Sequence, residues 1–96
     1  MIIVLAKCGN GYTGCDSEEV FFYEEGATER EIDADVYFWA QDNAESFFYA
    51  YFGCDEEYIE ECDDYVENNM TYDWHIATYE EYLEYCKNWS IKPREF

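Results

Sequence analysis

The sequence predicts an α+β domain, and three observations carry that reading. An apolar β-branched run at the start is followed by a glycine-rich turn and an aromatic run, the pattern of an antiparallel hairpin. Two Thr-x-x-Glu boxes each open a stretch with apolar residues at helical spacing. Residues 71–77 alternate apolar and polar, as a half-buried strand does. The predicted order is ββα(β)αβα: a small, mostly antiparallel sheet with an N-terminal hairpin, packed by about three helices. Ninety-six residues fit one domain spanning 1–96.

Taken in order, Ile2-Ile3-Val4-Leu5-Ala6 forms the first strand. Gly9-Asn10-Gly11-Tyr12-Thr13-Gly14 supplies the turn, because Asn-Gly and repeated glycine tolerate positive φ. Glu18 to Tyr23 returns as the second strand. Thr28-Glu29-Arg30-Glu31 is a capping box, and Ile32, Val36, Trp39, Ala40, Asn43 and Phe47 continue it as a helix over about 29–47. The aromatic run Phe48-Tyr49-Ala50-Tyr51-Phe52 can extend that helix or form a strand, and its composition favours the strand. A second helix is expected over about 55–68, with Tyr58, Ile59, Cys62, Tyr65 and Val66 on one face and Asn68-Asn69 as its stop. In the strand from Thr71 to Ala77, Tyr72, Trp74 and Ile76 share one side and Asp73 and His75 the other. Thr78-Tyr79-Glu80-Glu81 opens the last helix, with Tyr79, Tyr82, Leu83 and Cys86 inward.

Charge dominates the composition. Twenty-four acids face five bases, a net charge of −19, and no residue from 31 to 86 is Lys or Arg. Such charge density ordinarily keeps a chain unfolded. Here 49% of residues are hydrophobic and 22% aromatic, which supplies apolar area for a core. The remaining repulsion costs stability, so a surface kept this acidic is expected to have a use. Direct binding to nucleic acid or to an anionic membrane is disfavoured by the sign of the charge. No apolar run is long enough to span a bilayer, and the apolar start lacks the basic flank of a signal peptide. A cytoplasmic setting is the expectation.

The densest acidity falls in the second predicted helix. Asp55, Glu56, Glu57, Glu60, Glu61, Asp63, Asp64 and Glu67 are eight acids in thirteen residues. Over roughly 20 Å of helix this is about one charge per 2.4 Å, against about one per 1.7 Å along duplex DNA. Carboxylates at i, i+3 and i+4 form rows about 5–6 Å apart. A solvated outer face is the ordinary explanation of such a helix, but solvated faces usually mix signs, and this one has no lysine. Glu80, Glu81 and Glu84 are expected to assist, and Tyr58 and Tyr65 beside the acids suit arginine, combining ion pairing with stacking.

Other chemistry finds little support. His75 is the single histidine, so any nucleophile–histidine pair must pass through it. The glycine turn is followed by a strand and not by a helix, unlike a phosphate-binding loop. No calcium-loop pattern of alternating oxygen ligands exists. Five cysteines, at 8, 15, 54, 62 and 86, lack the tight pairs of a structural zinc site. Buried inert thiols are the default; a Cys8–Cys15 disulfide and a composite Cys/His75 metal site stay open. No enzyme activity, cofactor or metal is expected.

In overall character the chain resembles small acidic phage-encoded inhibitors of host defence, of the DNA-mimic anti-CRISPR type. The stretches that carry the similarity are Asp55 to Tyr65 and Tyr79 to Tyr85. The likeness covers the whole chain at the level of a class, without a diagnostic motif, and no functional residue is carried over from it. It implies a non-catalytic inhibitor in a bacterial host, with a basic nucleic-acid-binding protein, an RNA-guided nuclease, as partner. The alternatives are an acidic adaptor that masks a basic protein and a small Cys/His metal-binding domain.

Overall fold

The computed structural model describes residues 1–11, 16–52 and 59–95, without the side chains of Phe52 and Ile59. Its elements are β1 (Ile2–Gly9), β2 (Ser17–Tyr23), α1 (Glu29–Phe52), α2 (Ile59–Asn69), β3 (Thr71–Ala77) and α3 (Tyr79–Asn88). The strands make one antiparallel sheet in the order β2-β1-β3. The α+β prediction and the N-terminal hairpin therefore hold, with Val4 opposite both Phe21 and Ile76.

The near-continuous apolar run of β1 follows from its central position, because a strand covered on both faces has no solvent side. Val4 and Ala6 point to one face, where they meet Ile32 and Val36 of α1. Ile3 points to the other, where it meets Tyr82, Tyr85 and Cys86 of α3. The sheet is thus the middle of three layers, with α1 on one face and α3 on the other.

Both capping boxes form. The Glu31 amide donates to Thr28 Oγ1 at 3.2 Å while the Glu31 carboxylate accepts from the Thr28 amide at 3.4 Å. At α3 the Glu81 amide donates to Thr78 Oγ1 and the Thr78 amide to Glu81 Oε1, both at 3.2 Å. The far end of α3 closes on itself as well: the Ser90 amide bonds Lys87 O and the Ile91 amide bonds Cys86 O, with Ser90 at φ 55°. This is a Schellman ending with serine where glycine is usual.

The aromatic run 48–52 corrects the sequence reading: it is the last turn and a half of α1 and not a strand. Ile32, Val36, Ala40, Ala44 and Phe48 are all buried at a spacing of four. A spacing of four overshoots a helical turn, so across these five residues the stripe rotates by about 160° around the axis. Its first part faces the sheet. Its last part leaves the sheet and is covered by α2, where Ala44 and Phe48 pack with Cys62 and Val66. Local β-propensity is overridden by this second small core. Two inward assignments in α3 also change. Tyr82, Tyr85 and Cys86 are buried, whereas Tyr79 and Leu83 are exposed.

Candidate partner-binding surface

The described part of α2 carries Glu60, Glu61, Asp63, Asp64 and Glu67, and all five are exposed. Cys62 and Val66 anchor the helix to α1. With about 100° per residue, the acids cover an outward arc of about 160° opposite those two anchors. Glu60–Asp64 and Asp63–Glu67 stand at i, i+4, so like charges are held side by side at about 5–6 Å. Among the described residues the ion pairs are the N-terminal amine with Glu25 (3.1 Å), Lys7 with Glu18 (3.8 Å) and His75 with Glu81 (2.9 Å). None of them relieves α2. Asp55, Glu56, Glu57 and Tyr58 lie outside the described residues.

The acids of α3 belong to a different side of the molecule. Glu80, Glu81 and Glu84 are exposed, but α3 packs on the sheet face opposite to the one that α1 and α2 build on. The two sets therefore do not merge into one patch. Glu81 is also committed locally, because its carboxylate closes the capping box and meets His75 Nε2. These hydrogen bonds, the one from His75 first and that from the Thr78 backbone next, hold its carboxyl below the usual glutamate value.

Tyr65, the other described candidate on α2, is half-buried and already has partners within the fold. Its hydroxyl donates to Asn10 O at 2.8 Å, and its ring packs on Phe47 and Phe48. It ties α2 and α1 to the end of β1. Among the described residues the most exposed aromatics are Tyr51 (72%) and Phe38 (61%), both on α1. Asp42 and Glu45 lie on the same helix.

Two acids that composition alone assigns to the surface charge have structural work. Asp33 accepts from the Trp74 indole at Oδ1 (3.0 Å) and from the Tyr72 hydroxyl at Oδ2 (3.1 Å), pinning α1 to the edge strand β3. Asp35 accepts from the Tyr23 hydroxyl at 2.8 Å and does the same for the opposite edge strand β2. Burial, helped by Asp35, pushes the Tyr23 phenol far above its ordinary range. The one signal in the sequence is position: both acids flank the buried stripe at Ile32 and Val36.

Cys8, Cys62 and Cys86 are buried free thiols. Burial raises the Cys8 and Cys62 thiols above the ordinary value, a bond from Tyr49 only partly opposing this at Cys62. The free Cys8 thiol does not fit the Cys8–Cys15 disulfide that the sequence left open; Cys15 and Cys54 lie outside the described residues, and with them any composite site that uses them. Among the described residues no group of three or more His, Cys, Asp and Glu is placed to hold a metal ion. Among the same residues no helix is long and apolar enough to cross a membrane. Comparison with protein-family models, with curated proteins and with solved structures finds no match to this chain.

Proposed function

We propose that the protein is a stoichiometric, non-catalytic inhibitor that offers its carboxylates to the basic nucleic-acid-binding surface of a partner, an RNA-guided nuclease. The observation that carries the reading is the outward face of α2. Five exposed carboxylates stand within two turns, with no cation among them. A helix kept for solubility alone gains nothing from stacking like charges at i, i+4. A helix that meets lysines and arginines in register recovers that cost on binding, and its field speeds encounter. Glu80 and Glu84 on the far side of the sheet would form a second contact or serve a separate one.

An order-of-addition gel shift tests this reading. Protein added to the nuclease before target DNA should abolish DNA binding, and the effect should weaken as salt rises. Protein added after DNA should do little. DNA binding that survives in both orders removes the mimicry and leaves the acidic adaptor, which masks a basic protein without competing with nucleic acid.

A further inference from the structure

α3 is ten residues long, about 15 Å of helix, and it does not cover the whole sheet face on which it lies. On that face the sheet presents cross-strand rows. Phe22, Ile3 and Ala77 form one row, Val20, Leu5 and His75 the next, and Glu18, Lys7 and Asp73 the third. The first row is closed by Tyr82, Tyr85 and Cys86. The chain's own tail then completes that half: the Arg94 amide donates to the Tyr82 hydroxyl at 2.7 Å, and the Arg94 guanidinium lies 5.2 Å from the centre of the Phe22 ring.

The second row is covered only in part: Leu5 and Val20 also pack on that cluster but stay half-buried. Beside them runs an open groove of about 490 Å³ whose lining includes Leu5 and the edge of Tyr85. Glu18, Glu80, Glu81 and Glu84 line it, with Lys7, His75 and Asn88. Two of these carboxylates are already engaged, Glu18 with Lys7 and with the Trp89 indole (3.1 Å), and Glu81 with His75 and its cap. Glu80 and Glu84 stand at i, i+4 on the rim, exposed and in no ion pair among the described residues.

We infer that the groove along this partly covered sheet face is a docking site for an arginine-bearing segment of a partner protein. The aliphatic stem would lie along Leu5 and the edge of Tyr85, and the guanidinium would reach Glu84 and Glu80. Arginine suits the groove better than lysine, because its planar fork can meet a carboxylate while its stem covers apolar surface. On the first row the chain's own tail already sets a guanidinium against an apolar side chain of this sheet face, Arg94 over Phe22. The site stands on the opposite side of the sheet from α1 and α2 and does not depend on the function proposed for α2.

Titration of the labelled protein with the peptide acetyl-Gly-Arg-Gly-amide, followed by amide NMR, tests the site. Saturable shifts are expected at Leu5, His75 and Tyr85, with the citrulline peptide, neutral and of the same shape, giving none. Paired Glu80→Gln and Glu84→Gln should weaken binding by about threefold to fivefold, the worth of a partly exposed ion pair. Paired Glu60→Gln and Asp64→Gln on α2 should leave it unchanged. Shifts that do not saturate, that spread evenly over α2 and α3, or that persist in the α3 double variant would overturn the site. Both double variants alter exposed side chains alone, and an unchanged spectrum outside the groove verifies their fold. The outcome leaves the DNA-competition assay unaffected, so the two ideas fail separately.

Discussion

Asp33 illustrates how an acid in a strongly acidic chain can be indispensable to the fold. Both of its oxygens are used, one by Trp74 and one by Tyr72, and the aspartate joins two elements that are far apart in sequence. Hydrogen bonds to a charged group contribute about 1.5–3 kcal/mol, and Trp74 is half-buried, so its indole N–H would be left without a partner. Asp33→Ala should therefore lower stability by about that amount even though it removes a negative charge. Asp42→Ala, exposed on the same helix, should leave stability unchanged or raise it. Urea midpoints of the two variants decide, and equal midpoints would contradict the structural role of Asp33. The cysteines permit a second test. Cys8, Cys62 and Cys86 are buried, and burial raises the first two thiols, so all three should resist brief alkylation at neutral pH until the protein is unfolded. Peptide mapping that finds Cys62 modified in the folded protein would contradict the packing of α2 on α1.

Among the elements, α3 has both ends defined by named bonds. Glu81 is held below the usual glutamate value by His75 and by the Thr78 backbone, so the folded state binds fewer protons than the unfolded one. The cap is therefore at full strength above the ordinary glutamate value and is lost as the pH falls through the lowered one. His75→Gln should move the Glu81 midpoint, followed by carboxyl NMR, up toward the ordinary value; an unmoved midpoint would mean that His75 is not its main partner. At the other end, Ser90 adopts φ 55°, which a serine reaches at a cost. Ser90→Gly should raise stability by about 0.5–1 kcal/mol in thermal or urea unfolding, and a loss would contradict the Schellman geometry.

The same elements indicate what a sequence can express. Both capping boxes, the central hairpin strand and β3 were legible because their signals are local: a hydroxyl three residues before a carboxylate, a β-branched run, an alternation. The fate of 48–52 was not, because Phe48 is helical through contact with Cys62 and Val66, which are fourteen and eighteen residues away. The bond that engages Tyr65 within the fold was not legible for the same reason, since its partner Asn10 is fifty-five residues distant. Of the candidate surface, the exposure of Glu60, Glu61, Asp63, Asp64 and Glu67 was legible in the helical spacing. The separation of α2 from α3 on opposite sides of the sheet was not, because it depends on which strand is central.

At the scale of the whole molecule, shape and charge act together. The chain measures 47 × 29 × 18 Å with a radius of gyration of 15.3 Å, against roughly 12–13 Å for a rounded domain of this length. The excess comes from α1, about 36 Å long, whose far half leaves the sheet and carries α2. An elongated body spreads its −19 charge over more surface, yet repulsion remains. Raising salt from about 0.01 M to about 0.1 M shortens the screening length from about 30 Å to about 10 Å, from the width of the molecule to less than its thickness. The melting temperature should rise over that range. A flat or falling temperature would mean that repulsion is not what limits stability.

The central claim is that the outward carboxylates of α2 take the place of phosphates on a basic surface. The most direct measurement is the affinity for a DNA-free RNA-guided nuclease as a function of salt, for the wild-type protein and for Glu60→Lys combined with Asp64→Lys. The account predicts a steep loss of affinity with salt for the wild type. It predicts a double variant that is at least as stable, binds far more weakly and has a shallower salt slope. A wild type whose binding ignores salt, or a folded double variant that binds as tightly as before, would contradict it.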